Sequence, residues 1–190
     1  MLDLKEFLPP GTRTIVKDDY LIISQSGMRK LKIRRFIQDV DLPIFFFGLG
    51  LFAGEGRQRF TNTTERIEFI NSRPPYVKLF QKFLQILNLD SLIKPRIQLK
   101  SNLDYESALD FWSRTLNIPH ESFSRPLIFP KKPRKASKSR VSPFGSLVIR
   151  VSSALAFRLM KYWIQIFLVQ KLVGPKGFEP LTNRSLYEGL

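Results

Sequence analysis

Gly48-Leu49-Gly50-Leu51-Phe52-Ala53-Gly54-Glu55-Gly56 is an apolar helical stretch, studded with small residues, that runs into one acid held between two glycines. An apolar helix ordinarily closes in a cap or a polar turn, so a lone carboxylate in the last turn stands out. Such an oxygen ligand suits a hard divalent cation such as magnesium, which takes one or two carboxylates and keeps several waters. Gly50 and Gly54 fall four residues apart on one helical face, where a second backbone can approach closely. Two such helices side by side bring two copies of Glu55 together at the base of the contact. Against this stands the plainer reading, in which the glycine spacing is accidental and the acid is merely solvated.

The rest of the composition weighs between the two. Hydrophobic residues make up 43% of the 190-residue chain, with 17 Phe, enough for a sizeable core and too much for disorder throughout. Thirty-one Lys and Arg face 16 Asp and Glu, a net charge of +15, which points to a polyanion: nucleic acid first, an anionic membrane surface second. The absence of cysteine removes disulfides and thiolate zinc sites and fits a reducing cytoplasm. Asp3, Lys5 and Glu6 interrupt any secretory signal, and the apolar run 42–54 is too short to span a bilayer. Arg158, Lys161, Gln165 and Gln170 make 154–173 an amphipathic helix rather than a span.

Working outward from the glycine-rich stretch, Asp41 with Pro43 in the first turn is the expected start of its helix. Residues 1–40 are expected to form a basic arm or short strands: Tyr20-Leu21-Ile22-Ile23 a strand, Ser26-Gly27 a turn, and the basic run 29–35 a strand or arm. After Gly56 the period changes to two. Arg57 and Arg59 alternate with Gln58 and Phe60, the cluster 61–64 turns, and the return strand sets Ile67 and Phe69 against Arg66 and Glu68. Pro74-Pro75 opens a helix to about Leu87. The stretch 93–100 is the cleanest strand, with Lys94, Arg96, Gln98 and Lys100 outward. Asp104 or Ser101 caps a helix carrying Trp112 and closed by Pro119. Residues 125–146, with four prolines and the cations Arg125, Lys131, Lys132, Arg134, Lys135, Lys138 and Arg140 and no acid, read as a loop that grips phosphate. A strand 147–151 with Arg150 outward precedes a last helix, capped by Ser152-Ser153, to about Val173. The result is an α+β chain with a small antiparallel sheet. Trp112 and Trp163 lie in apolar stripes and read as core aromatics; His120 reads as a loop residue.

With the nonapeptide, the hairpin after it, the helix at Pro74, the basic-faced strand and Trp112 followed by Asn117-Ile118-Pro119, residues 41–172 resemble the LAGLIDADG homing endonucleases. The resemblance implies an antiparallel, saddle-shaped sheet along the DNA major groove, with helices packed on its other face. It further implies a homodimer in which the two motif helices meet through Phe47, Gly50, Leu51 and Gly54. Glu55 falls on the family's metal ligand, with the Gly54 carbonyl as helper and Mg2+ as the cofactor; Lys100 and Lys94 are the candidates for the basic residue beside the metal. Two positions depart from the family pattern: Ala53 replaces an earlier acid, and Arg57 a commoner small residue. The implied activity is metal-dependent, site-specific hydrolysis of double-stranded DNA, with no small-molecule cofactor and no membrane. Arg57, Arg59, Arg66, Lys94, Arg96, Gln98, Lys100 and Arg150 are the expected DNA-facing side chains, since Arg and Lys pair with guanine edges and Gln with adenine. The alternative is a cleavage-inactive DNA- or RNA-binding protein on the same fold, maturase- or regulator-like. The compartment is expected to be the cytoplasm, or an organelle's matrix or stroma if organelle-encoded. Residues 173–190 are expected to be a tail outside the fold. The codons of Gly177-Phe178-Glu179-Pro180 can spell a transfer-RNA T-arm, a reading that sequencing of the locus decides.

Overall fold

The computed structural model describes residues 1–56, 65–130 and 142–169. Among them the chain runs β1 (Leu2–Asp3), β2 (Arg13–Lys17), β3 (Tyr20–Ser24), β4 (Leu31–Arg34), β5 (Phe36–Ile37), α1 (Leu42–Glu55), β6 (Ile67–Asn71), α2 (Pro74–Ile86), β7 (Ile93–Lys100), α3 (Tyr105–Leu116), β8 (Ser124–Phe129), β9 (Ser146–Val151) and α4 (Ala154–Trp163). It is an α+β fold. The expected first hairpin strand with Arg57 and Arg59, the cations Lys131, Lys132, Arg134, Lys135, Lys138 and Arg140, and the tail 173–190 lie outside the described residues.

The central sheet has the order β6-β9-β7-β8. Its β6–β9 and β9–β7 pairs are antiparallel, but β7 and β8 run parallel, so the sheet is mixed rather than wholly antiparallel as expected. The difference comes from Arg125-Pro126-Leu127-Ile128-Phe129, which reads as loop because of its proline. An edge strand tolerates proline, which has no N–H to donate to the ladder. The pairing also slips at that point: Arg96 opposes Ser124 and Gln98 opposes Leu127, leaving Pro126 in the irregularity.

Strict alternation sorts the sheet. Ile67, Phe69, Ile97, Leu99, Leu147, Ile149 and Val151 are buried with the helices in one core, while Lys94, Arg96, Gln98, Lys100 and Arg150 turn to the opposite face. Burial of each large aliphatic or aromatic side chain contributes about 1.5–3 kcal/mol. Both tryptophans are core residues as expected, and each indole N–H is satisfied: Trp112 donates to Phe144 O at 2.9 Å and Trp163 to Phe7 O at 2.7 Å.

Capping follows the sequence for α3 and α4, where Asp104 accepts from Ser107 N and Ser153 from Ala156 N. At α1, Asp41 occupies the cap position without a side-chain bond, because a short 3-10 turn over Asp39–Asp41 precedes the helix and Leu42 N bonds Gln38 O at 3.1 Å. The last helix is also not continuous α: Ile164–Val169 is π-helical.

The basic run 29–35 is a strand, not an arm. β2, β3 and β4 form an antiparallel meander whose Leu21, Ile23, Leu31 and Ile33 enter the main core.

Helix α1 is apolar all round. Its inner side carries Phe45, Gly48, Leu49 and Phe52. At Gly48 it touches α2 so closely that a Cβ would lie 2.2 Å from Phe83 Cγ, whereas a Cβ on Gly50 or Gly54 would meet nothing within 4 Å. Gly48→Ala is therefore expected to destabilise the fold by about 1–3 kcal/mol through overpacking. Gly50→Ala is expected to stabilise the protomer by up to about 1 kcal/mol through helix propensity. Thermal unfolding of the two variants checks the pair, and equal effects would mean that Gly48 does not seat α1.

Candidate functional site

Glu55 is the last residue of α1 and is exposed. The chain leaves the helix through Gly56, whose N–H bonds Phe52 O at 2.9 Å and which bridges to Phe69 of β6. That exit sets Glu55 beside the end of β6, where Asn71 Nδ2 donates to Glu55 Oε2. The orientation of the Asn71 amide is fixed from its other side, since Arg73 N–H donates to Asn71 Oδ1 at 2.8 Å. A cleft of about 400 Å³ opens here, lined by Glu55, Ile70, Asn71, Ser72, Arg73 and Ser146. Its lining residues carry a carboxylate, a carboxamide, two hydroxyls and a guanidinium, the last with its carbon 5.9 Å from the Tyr76 ring centroid.

Asn71, Ser72, Arg73 and Ser146 were not anticipated from the sequence. Asn71-Ser72-Arg73-Pro74 reads only as a turn before a helix, and nothing in that string points to a carboxylate 16 residues earlier. The sequence candidates Lys94 and Lys100 lie elsewhere: both are exposed on β7, and neither lines this cleft. His120 pairs with Asp110 at 3.2 Å on the surface.

Glu55 is the one carboxylate among the residues lining this cleft, and Asn71 turns its amide N–H toward it. Gly54 belongs to the last helical turn, where carbonyls lack intrahelical partners. Among the described residues there is no cluster of three or more His, Cys, Asp or Glu. One carboxylate with hydroxyl and carbonyl neighbours is not the thiolate or histidine set of a zinc site.

A second groove, this one apolar and of about 400 Å³, runs along α1 itself, lined by Phe46, Phe47, Gly50, Leu51, Gly54 and Glu55. The four residues expected at a dimer contact, Phe47, Gly50, Leu51 and Gly54, all line it. Phe47 is 49% exposed.

On the open face of the central sheet, Glu68, Arg150 and Lys94 form one cross-strand row. Glu68 is only 3% exposed. Its Oε1 accepts from Arg66 Nε at 2.8 Å and from Arg150 Nε at 2.9 Å, with Arg150 Nη2 at 2.7 Å. Burial pushes the Glu68 carboxyl up, but the Arg150 and Arg66 guanidiniums outweigh it and hold the group below its ordinary 4.5. Arg66 and Arg150, both expected to face DNA, are thus also tied to an internal acid. Arg96, in the next row opposite Val148, differs: its Nε is buried with no hydrogen-bond partner among the described residues. Gln98 follows opposite Ser146 of the cleft, so β7 leads from the sheet centre toward Glu55.

No protein-family model matches the chain, and no curated protein or solved structure matches it either. Among the described residues, no helix is long and apolar enough to cross a membrane.

Because the folded carboxyl titrates below its unfolded value, the stability that the Glu68 cluster adds is complete above about pH 4.5 and is lost as pH falls through the lower folded pKa. Glu68→Gln is expected to lower stability by about 1–3 kcal/mol at pH 7 by leaving two guanidiniums short of their counter-charge. The gap to the wild type should close under acid. Unfolding curves from pH 7 down to 3 check this, and a gap that widens with acid would contradict it.

Proposed function

We propose that the chain is a divalent-metal-dependent, site-specific endonuclease of double-stranded DNA, acting as a homodimer of the LAGLIDADG type. The observation that carries the reading is the outer face of α1. Phe47, Gly50, Leu51 and Gly54 form an exposed apolar strip ending at Glu55, and among the described residues nothing beyond the helix's own backbone lies within 4 Å of a Cβ on either glycine. A second copy of the helix against this strip would bring two Glu55 carboxylates together beside a cationic sheet. The succession α1, β6, α2, β7, then β9 and α4 around one sheet supports the same reading.

Glu55 and the Gly54 carbonyl would hold Mg2+, which supplies charge stabilisation at the attacking and leaving oxygens of a phosphodiester. Arg73 stands in the same cleft and is suited to a phosphate oxygen, a role for which Lys100 is the alternative further along β7. The row Lys94, Arg96, Gln98, with Arg150 beside it, is suited to a major groove, the cations holding phosphates or guanine edges and the carboxamide an adenine. Two protomers related by a two-fold axis would favour a near-palindromic target. The compartment follows the target: the cytoplasm, or an organelle's matrix or stroma if the gene is organellar.

One observation favours the second reading, a cleavage-inactive DNA- or RNA-binding protein, maturase- or regulator-like. Asn71 already occupies one oxygen of Glu55, and Ala53 contributes no further acid.

Glu55→Gln is expected to reduce magnesium-dependent nicking of a plasmid carrying the flanking locus by about a hundredfold or more. Its gel shift of the same DNA in calcium should match that of the wild type. Binding by a wild type that never nicks would leave the second reading. Gly50→Leu has room in the protomer and is expected to convert a dimer to a monomer in sedimentation; a wild type monomeric at tens of micromolar would remove the shared metal site.

A further inference from the structure

The meander β2-β3-β4 presents a second cationic face that the central sheet does not account for. Its register puts Leu21, Ile23, Leu31 and Ile33 inward and leaves three rows outward: Arg13 with Ser24; Ile15 with Ile22 and Lys32; Lys17 with Tyr20 and Arg34. Arg13, Lys17, Lys32 and Arg34 are all exposed, and no Asp or Glu shares the rows. The two nearby acids, Asp18 and Asp19, sit in the hairpin turn, with Asp18 at φ 53°.

An ordinary solvated sheet face intersperses both signs, because like charges on neighbouring strands repel. Here strands about 4.8 Å apart carry cations on both edges and none in the middle. Three arginines elsewhere on or near the sheets are paired with acids, although Arg96 of β7 is in no ion pair among the described residues: Arg35 bonds Asp3 at 2.7 Å, Arg150 bonds Glu68 at 2.7 Å, and Arg158 bonds Glu65 at 2.6 Å. None of the four meander cations is in an ion pair among the described residues. Lys32 Nζ lies 3.9 Å from the centroid of the Tyr20 ring, which holds the ammonium at the surface and covers that side of the ring. Tyr20 is therefore a support for a cation rather than a platform for a base. The meander is also tied to the central sheet's edge: Arg158 bonds Glu65, just before β6, and Gln25 Oε1, just after β3, at 3.3 Å.

From these observations we propose that the outward face of the meander is a second DNA-binding surface, gripping the phosphate backbone of duplex flanking the segment held by the central sheet. It rests on the reading of the chain as a DNA-binding protein, and not on cleavage. Its recognition is by charge alone, so it adds affinity and footprint without sequence preference.

The full chain, with Arg13, Lys17, Lys32 and Arg34 all changed to Gln, is compared with the wild type on a mixed-sequence duplex of about 40 base pairs across a salt series. The log–log salt slope is expected to flatten by about 3. A control that removes the same charge from helix surfaces, Lys78, Lys82, Arg114 and Lys161 to Gln, should move it by less than about 1. A meander variant that behaves like the control overturns the proposal, as does one whose loss appears only with RNA of the same length. Should the fourfold variant unfold, Lys17→Gln with Lys32→Gln is read for about half the change. Arg96→Ala with Lys100→Ala, on the same probe, separates this proposal from the central-sheet reading. If only the meander variant loses binding, the central sheet is the wrong face; if only the Arg96 and Lys100 variant does, the meander proposal fails.

Discussion

Where the backbone of α1 meets the ring of Phe83 at Gly48, no side chain fits: a Cβ would be 2.2 Å from the ring carbon. That contact sets the rotation of α1 about its own axis, and the rest follows from helical geometry. With Gly48 inward, Phe45, Leu49 and Phe52 are inward too, and they build a ring cluster: Phe45 lies 6.0 Å from Phe83 and 5.8 Å from Trp163, and Phe52 lies 6.2 Å from Phe80. Phe47, Gly50 and Gly54 must then face out, since each falls well round the helix from Gly48. An apolar helix buried on one side only is costly to leave in water, and this one lacks a polar face to turn outward. The four glycines of a single nonapeptide thus divide into two kinds: Gly48 and Gly56 are consumed by the protomer's own packing, and Gly50 and Gly54 meet no other described residue.

The same division, between what the fold uses and what it leaves, runs through the charges. Glu68 is buried on the open face of the sheet and draws Arg66 and Arg150 onto one carboxylate oxygen. Those two guanidiniums are held in place, and their field is partly cancelled. Among the described residues Arg96 Nε has no such partner, and desolvation of a guanidinium N–H without an acceptor costs about 1–3 kcal/mol. An orphaned donor beside two satisfied ones makes β7, rather than β6 or β9, the strand with the most to gain from an incoming acceptor.

Most of the fold was legible because its elements follow strong periods. The alternation in 93–100 and 147–151, the apolar stripe of α2 and the caps Asp104 and Ser153 all reappear at their expected positions. What escaped was set by tertiary context. Pro126 suggests a loop, yet at a sheet edge its missing N–H costs nothing, and β8 forms parallel to β7. Lys32 and Arg34 could equally mark a free arm until Leu31 and Ile33 find the core between them. Glu55 could be picked out by its glycine frame. Its neighbours could not, because Asn71, Arg73 and Ser146 reach it only after β6 and β9 have paired.

The bond between Asn71 and Glu55 bears on how that carboxylate can act. Asn71 cannot turn its amide over without giving up the bond from Arg73 N–H, so it remains a donor toward Glu55 Oε2. A carboxylate with one oxygen engaged by a fixed donor loses rotational freedom. On the proposed reading its other oxygen would take the cation, and monodentate binding through one oxygen is what magnesium, with its small shell and retained waters, accommodates. Arg73 connects the two halves of this arrangement, since its backbone fixes the amide and the residue itself lines the same cleft. On the proposed reading, a single turn between β6 and α2 therefore both aims the carboxylate and brings the positive charge that a phosphate beside it would need.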